Sequence, residues 1–156
     1  VAKLMRQLSE DGAYEVPEEL KEKIQSLFWA GCCGDDETKR TIGRVWQEHH
    51  YLCDTHTAVA WNVAQQYKAA NPAHAPVVVL STASPYKFPA AVLEGLGEKA
   101  EGDEFAVMEQ LERLTGIPAP KNLRGLRERP VRHTTVLDRE EMLPFVLEKA
   151  QEKKWF

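Results

Sequence analysis

The sequence predicts an α/β fold, specifically a three-layer αβα fragment with a mostly parallel sheet. Two observations support this prediction. Segments with the apolar spacing of helices alternate with short apolar or β-branched runs, which is the pattern of α/β proteins. In addition, residues 77–80 are four consecutive apolar residues, as expected of a central parallel strand buried on both faces, and residues 131–137 have the composition of a second strand.

Seven segments carry the signals of helices. Their ends are marked by carboxylates that accept hydrogen bonds from first-turn amides, by prolines that suit a first turn, and by glycines that permit a left-handed last residue. From the N-terminus, the boundary residues are Gly12, Pro17, Asp35 or Asp36, His56 with Asn71, Pro89 with Leu96, Asp103 with Gly116, and Asp138 with Glu141. The last pair forms a D-x-x-E capping signal. Residues 118–129 are predicted to form an irregular basic connection.

The composition is that of an ordinary soluble chain. Its 156 residues, 43% hydrophobic and 28% charged, suit one domain over residues 1–156. A net charge of -4, with both signs mixed along the chain, gives no electrostatic case for nucleic acid or an anionic membrane. No apolar run is long enough to span a bilayer, and no signal peptide opens the chain. Three cysteines, two of them adjacent, indicate a reducing compartment, and we predict the cytoplasm.

The segment S-T-A-S-P-Y-K-F, residues 81–88, is the first candidate for chemistry. It follows the predicted buried strand, and ligands of open α/β sheets bind beyond the carboxyl ends of strands. Its hydroxyls could hydrogen-bond a ring nitrogen or an anion, and Lys87 adds a positive charge. The alternative is a serine- and threonine-rich turn with a solvated lysine, which the residue types alone favour. Both interpretations stay open at this point.

A second candidate is the segment C-D-T-H-T-A, residues 53–58, at a predicted helix start. Asp54 can cap the helix, and His56 near the positive helix end would tend to be neutral; capping is the favoured interpretation. A zinc site at His49, His50 and Cys53 is not predicted, because adjacent histidines cannot easily face one ion and a fourth ligand is lacking. Cys32-Cys33 lacks the C-x-x-C spacing of redox sites and is interpreted as a pair of small buried thiols. We interpret the basic residues 121–132 as a solvated surface or a structural clamp.

These segments, in this order, resemble threonine synthase. F-W-A-G at residues 28–31, followed by E-T at 37–38, is similar to a passage that follows the family's glycine-rich region. D-T-H-T-A-V-A at residues 54–60 resembles its D-P-H-T-A-V motif, and residues 81–89 resemble its T-A-x-P-x-K-F-P motif. P-V-R-H at residues 130–133 resembles its tail. Thr55 replaces the usual proline and Ser84 a common histidine. The motif residues that are in place are Asp54, His56, Thr57, Thr82 and Lys87.

The resemblance implies the C-terminal part of the large domain of a fold-type II pyridoxal-phosphate enzyme. The complete enzyme would convert O-phospho-L-homoserine and water into L-threonine and phosphate. By motif position, the Thr82 hydroxyl would face the pyridine nitrogen, and His56 and Lys87 are candidates for the substrate side. The Schiff-base lysine, in an S-F-K-like context, and the glycine-rich phosphate loop belong to the family's N-terminal portion. We therefore expect no catalytic residue in this chain, no bound pyridoxal phosphate and no activity by itself.

Two other functions stay open. One is another fold-type II enzyme, such as a dehydratase or a tryptophan synthase β-like chain, against which the ordered motifs argue. The other is a stand-alone α/β ligand-binding or interaction module, for which the missing lysine would be natural. Because Val1 leads directly into helix-like sequence, we also expect a truncated chain. A domain cut from a larger sheet would expose apolar surface, so we expect self-association.

Overall fold

A computed structural model of the chain describes residues 1–73 and 75–152, and all regular elements in these residues are helical. The α-helices are α1 (Ala2–Asp11), α2 (Glu18–Gln25), α3 (Asp35–His49), α4 (Thr55–Ala70), α5 (Pro89–Gly95), α6 (Glu104–Thr115), α7 (Lys121–Arg124) and α8 (Met142–Gln151). Short 3-10 turns, Pro85–Lys87 and Arg139–Glu141, lead into α5 and α8. Over the described ranges, no helix is both long enough and apolar enough to cross a membrane.

The helix boundaries follow the local sequence signals closely. Asp54 and Asp103 accept hydrogen bonds from first-turn amides of α4 and α6, as predicted. Gly12 and Gly116 end α1 and α6 with φ angles of 74° and 70°, in the left-handed region that favours glycine. Two helix starts are shifted by a residue, because Pro17 precedes α2, and Gly34 precedes α3 so that Asp35 lies in the first turn of α3. There its charge still complements the positive end of the helix.

The chain forms two compact units, and the first, Val1–Pro120, holds the apolar core. Helices α3, α4, α5 and α6 bury their apolar side chains against one another, whereas α1 and α2 bury none. The fully buried members include Ile42, Ala58, Val92, Leu93 and Leu111. Helices α3 and α5 approach closely at two glycines: a Cβ atom added to Gly43 would lie 2.4 Å from the carbonyl oxygen of Gly95.

The second unit begins at Lys121 and contains α7 and α8. Helix α7 lies inside the stretch predicted to be irregular. The predicted capping signal is present, because the Asp138 amide donates to the Glu141 carboxylate at 2.8 Å. The side chains of α8 include four large exposed apolar residues, Met142, Leu143, Val146 and Leu147. The prediction that residues 1–156 are one domain is not tested by this division and stays a prediction.

The predicted three-layer α/β architecture is wrong for the described residues, which contain no strand and no parallel sheet. Residues 77–80 have no regular secondary structure, and Val78 and Leu80 are 81% and 73% exposed instead of buried. Residues 131–137 are also irregular, with Val136 93% exposed. The physical reason is that a strand needs a hydrogen-bonded neighbour, which an apolar run does not specify. The placement of residues 81–88 at the carboxyl edge of a central strand is therefore wrong too.

Residues 77–80 instead line a groove together with helix α4. Their neighbours there include Trp29, Ala60, Val63 and Tyr67, and the groove volume is about 300 Å³. Trp29 also contacts Tyr67 edge to face, with ring centroids 5.6 Å apart. The apolar run thus borders this groove, with Val78 and Leu80 largely in solvent. Ser81 follows directly and lies near the start of α4, where its hydroxyl oxygen is 3.1 Å from that of Thr57.

Candidate functional site

The centre of the candidate site is the buried carboxylate of Asp54 at the start of α4. It accepts hydrogen bonds from the backbone amides of His56 at 2.9 Å and Thr57 at 3.4 Å. It also bonds the Thr57 hydroxyl, and its Oδ1 lies 3.1 Å from Nδ1 of His56. The Asp54 side chain is wholly shielded from solvent. Capping therefore explains this aspartate locally, and the same carboxylate also holds the histidine.

Asp54 is ionised at neutral pH. Burial by itself would raise the pKa of the carboxyl group, but the bonds from the Thr57 hydroxyl, the two amides and His56 outweigh it and lower the pKa. An ionised carboxylate can only accept hydrogen bonds, so Nδ1 of His56 carries the proton that points at Asp54. The His56 side chain is 61% exposed, and its Nε2 is the ring nitrogen that does not face Asp54. The contact with Asp54 therefore orients the ring and leaves Nε2 available to other groups.

Three hydroxyl groups extend this arrangement from α4 to the 81–88 segment. The hydroxyl oxygens of Thr57 and Ser81 lie 3.1 Å apart, and the Tyr51 hydroxyl donates to Ser81 Oγ at 2.9 Å. These residues also line a cavity of about 280 Å³ with Cys53 and Trp61. No motif or spacing in the sequence indicates the Tyr51–Ser81 contact, which joins residues 30 positions apart.

The two predicted substrate-side residues meet at one aromatic ring. The rings of His56 and Phe88 have centroids 5.6 Å apart, and Lys87 Nζ lies 5.6 Å from the centroid of the Phe88 ring. At this distance the ammonium is attracted by the ring face. His56 and Phe88 also line a cavity of about 510 Å³ with Cys33, Thr38 and Lys39. The structure thus brings His56 and Lys87 together around Phe88, although sequence reasoning did not single out Phe88.

Thr82, the residue predicted to face a pyridine nitrogen, is exposed. Within residues 1–73 and 75–152 its hydroxyl has no hydrogen-bond partner. The segment after it is fixed, because the Ser84 side chain accepts from the Tyr86 amide at 3.2 Å. Tyr86 is buried, and its hydroxyl donates to the carbonyl oxygen of Ile117. Thr82 therefore offers a free hydroxyl on a segment that is anchored on both sides.

The cysteines and the adjacent histidines have other roles. Cys53 is buried, and burial raises the pKa of its thiol to about 11, so it is a protonated core residue. Cys32 is exposed, so the prediction of two buried thiols is wrong at this residue. His49 and His50 contact the rings of Trp61 and Trp46, respectively. In the described part of the chain, no group of three or more histidine, cysteine or carboxylate side chains is placed to hold a metal ion.

Comparison with known proteins identifies the family. The family "Threonine synthase, C-terminal" matches residues 57–146. Threonine synthase-like 2 from Pongo abelii is 34% identical over 90 residues, which are 58% of this chain and 19% of that protein. Threonine synthase from Pseudomonas aeruginosa is 31% identical over 99 residues, or 63% of this chain and 21% of that protein.

A solved structure is similar over nearly the whole chain. The crystal structure of threonine synthase from Brucella melitensis, with pyridoxal phosphate bound, has a TM-score of 0.72 and 29% sequence identity. The similarity covers 99% of this chain and 28% of that one. The chain thus spans roughly a fifth of the length of its curated relatives. Because the family match extends over residues 57–146, this chain belongs to the threonine synthase family and corresponds to its C-terminal region.

Proposed function

We propose that this chain is the C-terminal part of a pyridoxal-phosphate-dependent threonine synthase. The complete enzyme converts O-phospho-L-homoserine and water into L-threonine and phosphate. One observation carries the proposal: the family match over residues 57–146 includes the whole 81–88 segment, where the free Thr82 hydroxyl and Lys87 lie. We propose the cytoplasm as the compartment, which the three free cysteines support.

The residues of this chain fit one side of pyridoxal phosphate. A pyridine nitrogen accepts one hydrogen bond, and the exposed Thr82 hydroxyl has a proton to donate because no described residue accepts it. When bound, the cofactor supplies an electron sink that stabilises carbanions on the substrate. A hydroxyl partner is neutral, so it leaves the ring nitrogen largely unprotonated and moderates that sink. Thr82 is thus assigned to tuning the cofactor rather than to reacting with substrate.

Ser81, the neighbouring hydroxyl, is a weaker candidate for the same role. Its oxygen already lies 2.9 Å from the Tyr51 hydroxyl and 3.1 Å from that of Thr57. Turning toward a ring nitrogen would break these contacts, and each net hydrogen bond contributes about 0.5–1.5 kcal/mol. Thr82 would break no such hydrogen bond to a described residue on turning toward the ring nitrogen. The assignment therefore stays with Thr82.

His56 and Lys87 are assigned to the substrate side. Lys87 provides a positive charge suited to an anionic group such as the substrate phosphate, and it already lies at the Phe88 ring. His56 can accept or return a proton at Nε2, because Asp54 holds its Nδ1–H. Neither role requires a residue that reacts covalently. We propose that the isolated chain binds no cofactor and is inactive, because the Schiff-base lysine is expected in the rest of the protein.

The test is the activity of the complete gene product. Phosphate release from O-phospho-L-homoserine, with L-threonine formed in equal amount, is the expected result. The same preparation is then given L-serine and L-threonine to measure deamination. Efficient deamination without phosphate release would show a dehydratase instead. A gene product without a lysine in an S-F-K-like context would favour the stand-alone binding module.

A further inference from the structure

A line of side chains runs from the buried carboxylate of Asp54 to the segment that carries Thr82. The Thr57 hydroxyl donates a hydrogen bond to Asp54, and its oxygen lies 3.1 Å from Ser81 Oγ. The Tyr51 hydroxyl donates to Ser81 at 2.9 Å. Each hydroxyl has one proton to donate. Because the Asp54 carboxylate is ionised and only accepts, the Thr57 proton points to Asp54. The Ser81 oxygen accepts the Tyr51 proton and also lies against the Thr57 hydroxyl.

The segment that carries Thr82 is held mainly by side-chain hydrogen bonds. Among the described residues, no backbone–backbone hydrogen bond joins residues 77–83 to any other part of the chain. Ser81 is held by its hydroxyl on one side of Thr82, and Ser84 caps the following 3-10 turn on the other. Thr82 therefore lies between two residues that side-chain hydrogen bonds hold in place. The position of its backbone depends directly on the Ser81 contacts.

We propose that Tyr51, Thr57 and Ser81 are positioning residues that hold the Thr82 hydroxyl for the cofactor ring, an inference that rests on the proposed function. The carboxylate of Asp54 anchors the Thr57 hydroxyl, and the Ser81 oxygen is held between Thr57 and Tyr51. These contacts fix the residue that directly precedes Thr82. Tyr51, to which no sequence motif assigns a role, completes the set by donating to Ser81.

The first test needs no cofactor and uses the 156-residue chain. Unfolding by urea is measured for wild type, Tyr51→Phe, Ser81→Ala and the double variant. A hydrogen bond between the two side chains predicts that each single change alters the unfolding equilibrium constant about two- to tenfold. The effect of the double variant on this equilibrium constant should then differ from the product of the two single effects by a similar factor. Independent, purely multiplicative effects would overturn the proposed contact. Tyr51 is 47% exposed, so its change to phenylalanine keeps the fold.

The second test uses the complete gene product with pyridoxal phosphate bound. In Ser81→Ala and Thr57→Val, we expect kcat to fall about ten- to hundredfold, whereas KM for O-phospho-L-homoserine changes less than about twofold. The absorption spectrum of the bound cofactor should shift in the same direction as in Thr82→Val. Thr57→Ser keeps the hydroxyl and should restore most of kcat and the spectrum.

The outcomes separate the positioning role from the proposed function. If Thr82→Val changes kcat and the spectrum but Ser81→Ala and Thr57→Val do not, the positioning inference is wrong and the cofactor assignment survives. If Thr82→Val itself has no effect, the cofactor assignment fails. A purely structural role would lower the stability of Ser81→Ala and leave its cofactor spectrum unchanged, which would also overturn the inference.

Discussion

Alanine at Gly43 tests a close contact between two helices of the core. Helix α3 meets α5 where a Cβ atom on Gly43 would lie 2.4 Å from the carbonyl oxygen of Gly95. The opposing atom belongs to the backbone, so no side-chain rotation relieves the clash. An ordinary contact requires about 3.4 Å or more between such atoms, and the helices must therefore separate by roughly 1 Å. Ile42 and Leu93, both fully buried, lie in the adjoining core.

Two opposing effects determine the size of the change. Replacing glycine by alanine inside a helix favours folding by about 0.8–1.0 kcal/mol. Overpacking a close-packed core costs about 1–3 kcal/mol. The expected net result for Gly43→Ala is a loss of about 1 kcal/mol, which corresponds to a fall in Tm of roughly 2–4 °C for a chain of this size.

The assay is urea denaturation followed by circular dichroism at a helical wavelength. Gly125→Ala is the control, because the nearest heavy atom to its added Cβ is at an ordinary 3.7 Å. That variant should be neutral or slightly stabilised. If Gly43→Ala were instead more stable than wild type by the full helix-propensity gain, the close crossing of α3 and α5 would be refuted.

Three further predictions concern the site and the surface. Because the folded-state pKa of Asp54 is lowered, its carboxylate stabilises the fold fully above about pH 5 and less as pH falls through the folded pKa. The wild-type unfolding free energy should therefore drop more steeply in acid than that of Asp54→Asn; equal slopes would contradict the lowered pKa. In the complete enzyme, Lys87→Met should raise KM for O-phospho-L-homoserine about tenfold or more, with Lys68→Met as the control; an unchanged KM would remove Lys87 from the substrate side. We propose self-association through exposed apolar residues such as Leu27, 82% exposed; sedimentation showing only monomer at high concentration would contradict it.

The parts of the structure that depend on neighbouring residues were predictable from the sequence. Asp54, Asp103 and the Asp138–Glu141 pair act within one helical turn, so their caps follow from local spacing. The same holds for Gly12, whose left-handed φ ends α1. In each case, both partners of the hydrogen bond lie within one short stretch of the sequence.

The parts of the structure that depend on residues distant in the sequence could not be predicted. Residues 77–80 have the composition of a buried strand, but that composition does not say which segment would pair with them, and they line a groove beside α4 instead. The Tyr51–Ser81 contact likewise depends on the fold, which places Ser81 beside Thr57. Sequence motifs identified His56 and Lys87 separately, and only the fold shows that both meet the Phe88 ring.

The measurement that tests the central claim most directly compares turnover with cofactor affinity in the Thr82→Val variant of the complete gene product. Valine keeps the shape and removes the hydroxyl, and Thr134→Val, at an exposed threonine of the second unit, is the matched control. One hydrogen bond contributes about 0.5–1.5 kcal/mol, so the affinity for pyridoxal phosphate should weaken by no more than about tenfold. The account predicts that kcat for L-threonine formation falls well beyond that factor, with Thr134→Val unchanged. Undiminished turnover in Thr82→Val would contradict it.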